Sequence, residues 1–334
     1  MTFKTILLGL GTAGLLASTA SADTWRYAFE EAIDEVQGVF AQKFKEHVEA
    51  NTDHEVQLFP FGTLGESDDI MEQTQSGILQ FVNQSPGFTG ALIPEAQVFF
   101  VPYLLPQEGA ALNKFFAESV AINEMFPELY AQHGLTLLTM YPEGEVVMTT
   151  KNPVTSPADL NEQNFRVMTN PLLVESYRAF GAVPTPLPWG EVYGGLQTNM
   201  IQGQENPMFF VESTKMYEVT DYITFTGHNN FTTALMANAD FFSGLSEADQ
   251  KVVRDAVDVA FDYILEYQNG LTERALETIL EAKPSMTVTR LTEEQRAPFM
   301  AAAADVEAEF LKMTGESGKR ILDQMKADLA AVSN

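Results

Sequence analysis

The chain contains no cysteine, which removes disulfides, thiol catalysis and cysteine-ligated metal together. Packing alone must hold the fold. Its four histidines, His47, His54, His133 and His228, are far apart and share no metal-ligand spacing, so a zinc site is not expected. Basic residues are scarce as well: 19 Lys and Arg stand against 46 Asp and Glu, a formal net charge of −27. Nucleic acid and anionic membrane are therefore poor partners. The acids are scattered over helix faces rather than gathered in one block, the pattern of a solvated surface suited to a salty habitat. There is no Walker loop, no Gly-x-Ser-x-Gly, no internal repeat and no low-complexity segment. The one Gly-Leu-Gly, at 9–11, falls in the leader described next.

Lys4 precedes an apolar run over 6–17, and Ala20-Ser21-Ala22 follows it. A charged start, an apolar centre too short to span a bilayer and a small-residue ending make a secretory signal peptide over 1–22, so the mature chain begins at Asp23. No later run is long enough for a transmembrane helix. The remainder exceeds the size at which one core keeps growing, which favours two lobes and a cleft between them.

Residues 24–29 alternate as a strand, and Ile33, Val36, Phe40, Phe44 and Val48 then form one helical stripe. A second strand is expected over 55–61. Gly62-Thr-Leu-Gly65 turns into a helix with Ser67 as N-cap and Asp68 and Asp69 in its first turn. A third strand covers 78–82, with Pro86-Gly-Phe88 beyond its end. From Gly134 a second set follows: a short helix from Ser156-Pro-Ala-Asp159, a strand over 164–168, a helix over 171–180 and a strand over 183–187. Strands alternating with helices imply α/β lobes whose sheets are largely parallel and whose ligand crevice lies at the carboxyl ends of strands. The last third is helical, with Ser246-x-x-Asp249 and Thr292-x-x-Gln295 as capping boxes and a strand over 286–291. The segment 247–282 has no proline and keeps Val253, Val257, Ala260 and Ile264 on one stripe. It is expected as one helix long enough to reach across both lobes.

Asp68-Asp69-x-x-Glu72 has the look of a divalent-metal motif, but acids after an N-cap are what the helix dipole favours. Aromatic and polar residues are dense between Phe165 and Pro207: Arg166-Val-Met-Thr-Asn170-Pro, Pro188-Trp189-Gly-Glu-Val-Tyr193 and Gln202-Gly-Gln-Glu205-Asn206-Pro207. On composition alone Arg166 is a surface ion-pair residue and Trp189 a core residue.

A resemblance reverses both assignments. Through Gly62-Thr-Leu-Gly65, Phe165-Arg-Val, Trp189-Gly-Glu-Val-Tyr-Gly-Gly-Leu-Gln197, Gly203-Gln-Glu-Asn-Pro207 and Tyr217-Glu-Val219, the whole chain after residue 22 resembles a substrate-binding protein of a tripartite ATP-independent periplasmic (TRAP) transporter. Trp25-Arg-Tyr-Ala-Phe-Glu-Glu31, Gly65-Glu-Ser-Asp-Asp-Ile-Met-Glu-Gln-Thr-Gln75, Phe81-Val-Asn-Gln-Ser-Pro-Gly-Phe-Thr-Gly90 and Thr169-Asn-Pro-Leu-Leu173 are similar to the branch that binds ectoine and hydroxyectoine. The resemblance implies a periplasmic monomer with no cofactor and no catalysis, working with a large and a small membrane subunit.

It further implies that Arg166 pairs bidentately with a ligand carboxylate and Asn206 adds a hydrogen bond, while Glu31 faces a cationic amidine ring enclosed by Phe88, Trp189 and Phe231. Arginine's rigid fork suits the carboxylate. Aromatic faces are worth about 0.5 to 2 kcal/mol each to a desolvated cation, and charged hydrogen bonds about 1.5 to 3. Micromolar binding, about −8 kcal/mol, is within reach. Strand alternation is expected to let only one of Glu30 and Glu31 face the cleft.

Many relatives carry a second ligand-facing arginine after the glycine that here is Gly144, but this chain has Glu145-Val-Val-Met148. Dicarboxylates and sialic acid become poorer candidates, and a zwitterion with one carboxylate a better one. By the same resemblance the two-lobed periplasmic binding protein fold divides into lobe I, 23–145 and 232–270, and lobe II, 146–231 and 271–334 with the C-terminal helices. The alternatives are another small zwitterion or a 2-oxo acid as ligand, or an exported enzyme using Glu31 or Glu205 as base. The enzyme would need an activated nucleophile, metal or cofactor motif, and none is visible.

Overall fold

The computed structural model describes residues 23–107 and 109–333, so the signal-peptide expectation over 1–22 lies outside the described residues. Ten strands form in chain order: β1 Thr24–Phe29, β2 Glu55–Phe59, β3 Phe81–Gln84, β4 Leu135–Thr150, β5 Asn164–Val167, β6 Val183–Pro186, β7 Gly203–Pro207, β8 Tyr222–Phe225, β9 Asn230–Asn238 and β10 Thr287–Arg290. Hydrogen bonding orders them β2-β1-β3-β9-β4-β7-β5-β6, with β8 on β4 and β10 on β8. Within each half the short strands run parallel, β1 between β2 and β3 and β5 between β6 and β7. The long strands β9 and β4 are antiparallel to their neighbours. The first part of β4 pairs with β9 and its last five residues pair with β7. One strand thus carries the chain from the first half-sheet into the second.

Period-two alternation feeds two cores, one on each face of the sheets. Trp25, Tyr27, Phe29, Phe81, Tyr141 and Val147 enter one, and Ala28, Val82, Met140, Met148, Phe165 and Val167 the other. The helix Val36–Asn51 presents Val36, Phe40, Phe44 and Val48 to the first core, all four fully buried. Each such side chain contributes about 1.5–3 kcal/mol by leaving water. Ile33, expected on that stripe, lies before the helix and is 40% exposed.

Two helix boundaries differ from the sequence reading. Ser67 is the first residue of the helix Ser67–Gln75, and its N-cap is Glu66, which forms a capping box with Asp69. Asp69 Oδ2 accepts from Glu66 N at 2.9 Å, so the acid pair expected in the first turn is there and serves the cap. The second difference is in 247–282, which divides into helices Glu247–Tyr267 and Leu271–Ala282. Gly270 between them adopts φ +70°, the left-handed conformation that ends helices and that glycine takes without strain. The first of the two packs on Val36–Asn51 and the second on the helix Met208–Ser213, so the pair still reaches from one half to the other. The final helix, Val306–Val332, packs on the turn Pro94–Phe100 and on helices Ala110–Glu118 and Pro171–Ala179. Among the described residues no helix is long and apolar enough to cross a membrane.

Candidate ligand-binding site

β1 ends at Phe29, so the alternation rule does not extend to Glu30 and Glu31. Both turn inward, at 8% and 4% exposure, and both line one cavity; the expectation that only one could face it is corrected. Gln37, in the first turn of Val36–Asn51, organises them. Its backbone N donates to Glu31 Oε2 at 2.8 Å, and its side-chain Oε1 accepts from Glu30 N at 2.9 Å. Its Nε2 donates to Glu143 Oε1 at 3.1 Å and to Thr233 Oγ1 at 2.9 Å. Next to it, Gly38 lets the turn sit on the helix: a Cβ there would lie 2.3 Å from Ala32 O. Glu30 Oε2 accepts from Ser85 N at 2.8 Å, which ties this wall to the end of β3.

The opposite wall is built from the second half-sheet. Arg166 on β5 is 2% exposed, and its Nε and Nη2 donate to Leu187 O at 3.1 and 2.9 Å. Among the described residues no carboxylate forms an ion pair with it. Its guanidinium carbon lies 5.4 Å from the Trp189 ring centroid, and Trp189 packs on Phe210 at 4.7 Å. Asn206 on β7 is held by a 2.6 Å donation from Nδ2 to Gln204 Oε1. Its neighbour Glu205 turns to the other face, where Tyr177 Oη donates to its Oε2 at 2.6 Å and His228 Nε2 lies 2.8 Å from the same oxygen. That carboxylate is structurally engaged and does not line the cavity.

Glu31, Phe88, Arg166, Trp189, Asn206 and Phe231 all border the same cavity. Phe88 comes from the short helix Pro86–Thr89, started by Ser85, whose side chain accepts from Gly87 N. Phe231 comes from β9. Sequence reasoning missed Gln37, Phe61, Ser67, Glu143, Met168, Pro207 and Phe210 as lining residues and left Glu30 undecided. Glu143 shares β4 with a second acid, Glu145, so no local pattern singles it out. Across the mouth, Asn170 Nδ2 donates to Pro86 O at 3.2 Å and Leu172 N to Gln97 Oε1 at 2.9 Å, so the two walls are latched together.

The electrostatics are polarised. Burial pushes Glu30 up to about 7. Burial, then the charge of Glu143, raises Glu31 well above the usual carboxylate range, and burial raises Glu35 and Glu143 too. Burial lowers Arg166 to about 10, with Glu205, Glu66 and Glu30 opposing the shift. The cavity therefore holds a desolvated cation without an ion-pair partner together with a cluster of desolvated acids.

An aromatic-walled cavity lined by one buried cation and several buried acids, set between two α/β halves that share a strand, defines a two-lobed solute-binding protein. The chain belongs to the bacterial extracellular solute-binding proteins of family 7, whose model matches residues 28–313. It is 69% identical over 329 residues to the ectoine/5-hydroxyectoine-binding periplasmic protein UehA of Ruegeria pomeroyi, covering 98% of this chain and 95% of the relative. Among solved structures, the periplasmic ectoine-binding protein of the TeaABC TRAP transporter of Halomonas elongata is 62% identical with a TM-score of 0.92, covering 92% of this chain and all of that one. The ectoine-binding protein TeaA in its apo state is 61% identical with a TM-score of 0.82, covering 93% of this chain and all of that one.

Proposed function

We propose that this protein captures ectoine or hydroxyectoine between its lobes in the periplasm and delivers it to the membrane subunits of a TRAP transporter. The observation that carries the reading is the buried, unpaired Arg166 facing Glu30, Glu31 and Glu143 across a cavity of aromatics. A buried charge without a partner is costly, and a ligand that supplies the partner recovers that cost. Ectoine carries one carboxylate and one delocalised amidinium, the two charges this cavity is short of. Arg166 takes the carboxylate as a fork, Asn206 adds a hydrogen bond, Glu31 meets the ring N–H groups, and Phe88, Trp189 and Phe231 enclose the ring. Among the described residues Arg166 is the only basic one lining the cavity, which disfavours a dicarboxylate.

Residues 23–145 with 232–270 make lobe I in this reading, and 146–231 with 271–334 lobe II. Binding shifts the population toward the closed form that the large and small membrane subunits recognise, and the protein acts as a monomer without catalysis. Calorimetric titration with ectoine, hydroxyectoine and a 2-oxo acid tests the ligand. Saturable binding of the first two at micromolar or lower dissociation constants is expected, and no heat with ectoine at high protein concentration would sink the proposal. Trp189→Ala is expected to weaken ectoine binding at least about tenfold, because it removes both a wall of the cage and the ring stacked on Arg166. The same titration measures it, and wild-type affinity would remove Trp189 from the site.

A further inference from the structure

Three carboxylates, Glu30, Glu31 and Glu143, share one wall of the cavity, and Gln37 touches all three residues. Gln37 Nε2 has only two hydrogens, and these go to Glu143 Oε1 and Thr233 Oγ1. The second oxygen of Glu143 and the Oε1 of Glu30 are buried without a hydrogen-bond partner. The groups facing Glu31 are Glu30 beside it, Glu35 on the following turn, and Glu143 and Tyr141 on β4, with Tyr27 of β1 near Tyr141. Among the lining residues Arg166 is the one base, its charge is felt by Glu30, and no lysine or histidine stands beside Glu31 and Glu143. Three or four adjacent buried carboxylates cannot all be ionised without a counter-cation, and two such groups in contact settle by sharing one proton.

We infer that Glu31 and Glu143 form a carboxyl–carboxylate pair that shares one proton in the empty cavity and releases it when the cationic ring of the solute docks. The inference rests on the ligand proposed above and adds Glu143 as the residue that positions and charges Glu31. The balance is simple. The O–H bond of the shared carboxyl breaks, the proton leaves to solvent buffer, and the freed carboxylate accepts an N–H of the incoming amidinium. Capture is then linked to pH: the proton competes with the solute cation for the same oxygens, so affinity rises as pH rises through the raised titration of the pair.

The test is titration of the full mature protein with ectoine in two buffers of widely different ionisation heat, such as phosphate and Tris, from pH 5 to 9. The heats are expected to differ, showing proton release, and the association constant to fall by about tenfold or more from pH 8 to pH 5. Glu143→Gln keeps the shape of the side chain and removes the shared proton, so its heats should agree in the two buffers and its affinity should flatten with pH. Wild-type heats that coincide across the range would overturn the inference, as would release that survives in E143Q but vanishes in E30Q, since the proton would then belong to Glu30. Absence of any ectoine heat would instead sink the ligand assignment.

Discussion

Arg166→Ala is expected to weaken ectoine binding by about 100- to 1000-fold, the largest effect of any single substitution in the cavity. The step sums two charge-assisted hydrogen bonds of about 1.5–3 kcal/mol each, partly offset because the empty pocket no longer buries a lone charge, and each 1.4 kcal/mol is tenfold. The ligand-free variant should melt no lower than wild type. Arg166 is fully buried with only Leu187 O as acceptor, and burial depresses its titration to about 10, so in the empty protein its charged form is a burden. Arg166→Lys should fall between the two, because an ammonium restores charge and loses the fork. Titration calorimetry and thermal melts of ligand-free protein measure both halves. Wild-type affinity, or a large drop in the melting temperature of the empty variant, would contradict the role.

Glu31→Ala should cost ectoine affinity about 10- to 100-fold while leaving a plain monocarboxylate unaffected or better bound. The charged hydrogen bond to the ring is lost, yet the carboxylate end keeps Arg166 and Asn206. The substitution also has a stability signature. Glu31 binds its proton more tightly folded than unfolded, so the folded state holds more protons and the ligand-free protein loses stability as pH rises from the ordinary carboxylate range through the raised value. In Glu31→Ala that decline should flatten. Denaturant unfolding of ligand-free protein between pH 4 and pH 9 would show it; an unchanged slope would mean that Glu31 does not carry the strained charge.

These effects could be placed because much of the site lies in short contiguous runs. Phe88 follows a strand end, and Arg166, Trp189 and Asn206 sit within one stretch of alternating strands and turns, so local pattern and resemblance located them together. Glu143 was not legible. Glu143 and Glu145 both lie in β4, and what sets the first apart is Gln37, more than one hundred positions away, reaching it across the sheet. The inward turn of both Glu30 and Glu31 was hidden for a related reason: the strand that sets alternation stops at Phe29, one residue too soon. The break at Gly270 was legible in principle. Absence of proline argues for continuity, but Asn269-Gly270 is itself a stop signal whose left-handed turn outweighs the apolar stripe around it. Of the two expected capping boxes, Thr292 with Gln295 forms in full, whereas Ser246 accepts from Asp249 N without the reciprocal bond from its own backbone N.

β4 has one more consequence. Glu143 stands one residue before Gly144, which faces Phe231 on β9, and four residues before Val147, which faces Asn206 on β7. Glu143 is also the unpaired residue at the register shift between Pro142 and Gly144, and a bulge of this kind re-aims a side chain, here into the cavity wall. From Gly144 to Thr150 the ladder runs without a further shift, so a residue inserted or deleted between Gly144 and Val147 would turn every following side chain to the opposite face. Descendants of this chain can exchange the side chains along 144–147 for a new solute, but not their number: any slack has to be taken up at the bulge that carries Glu143.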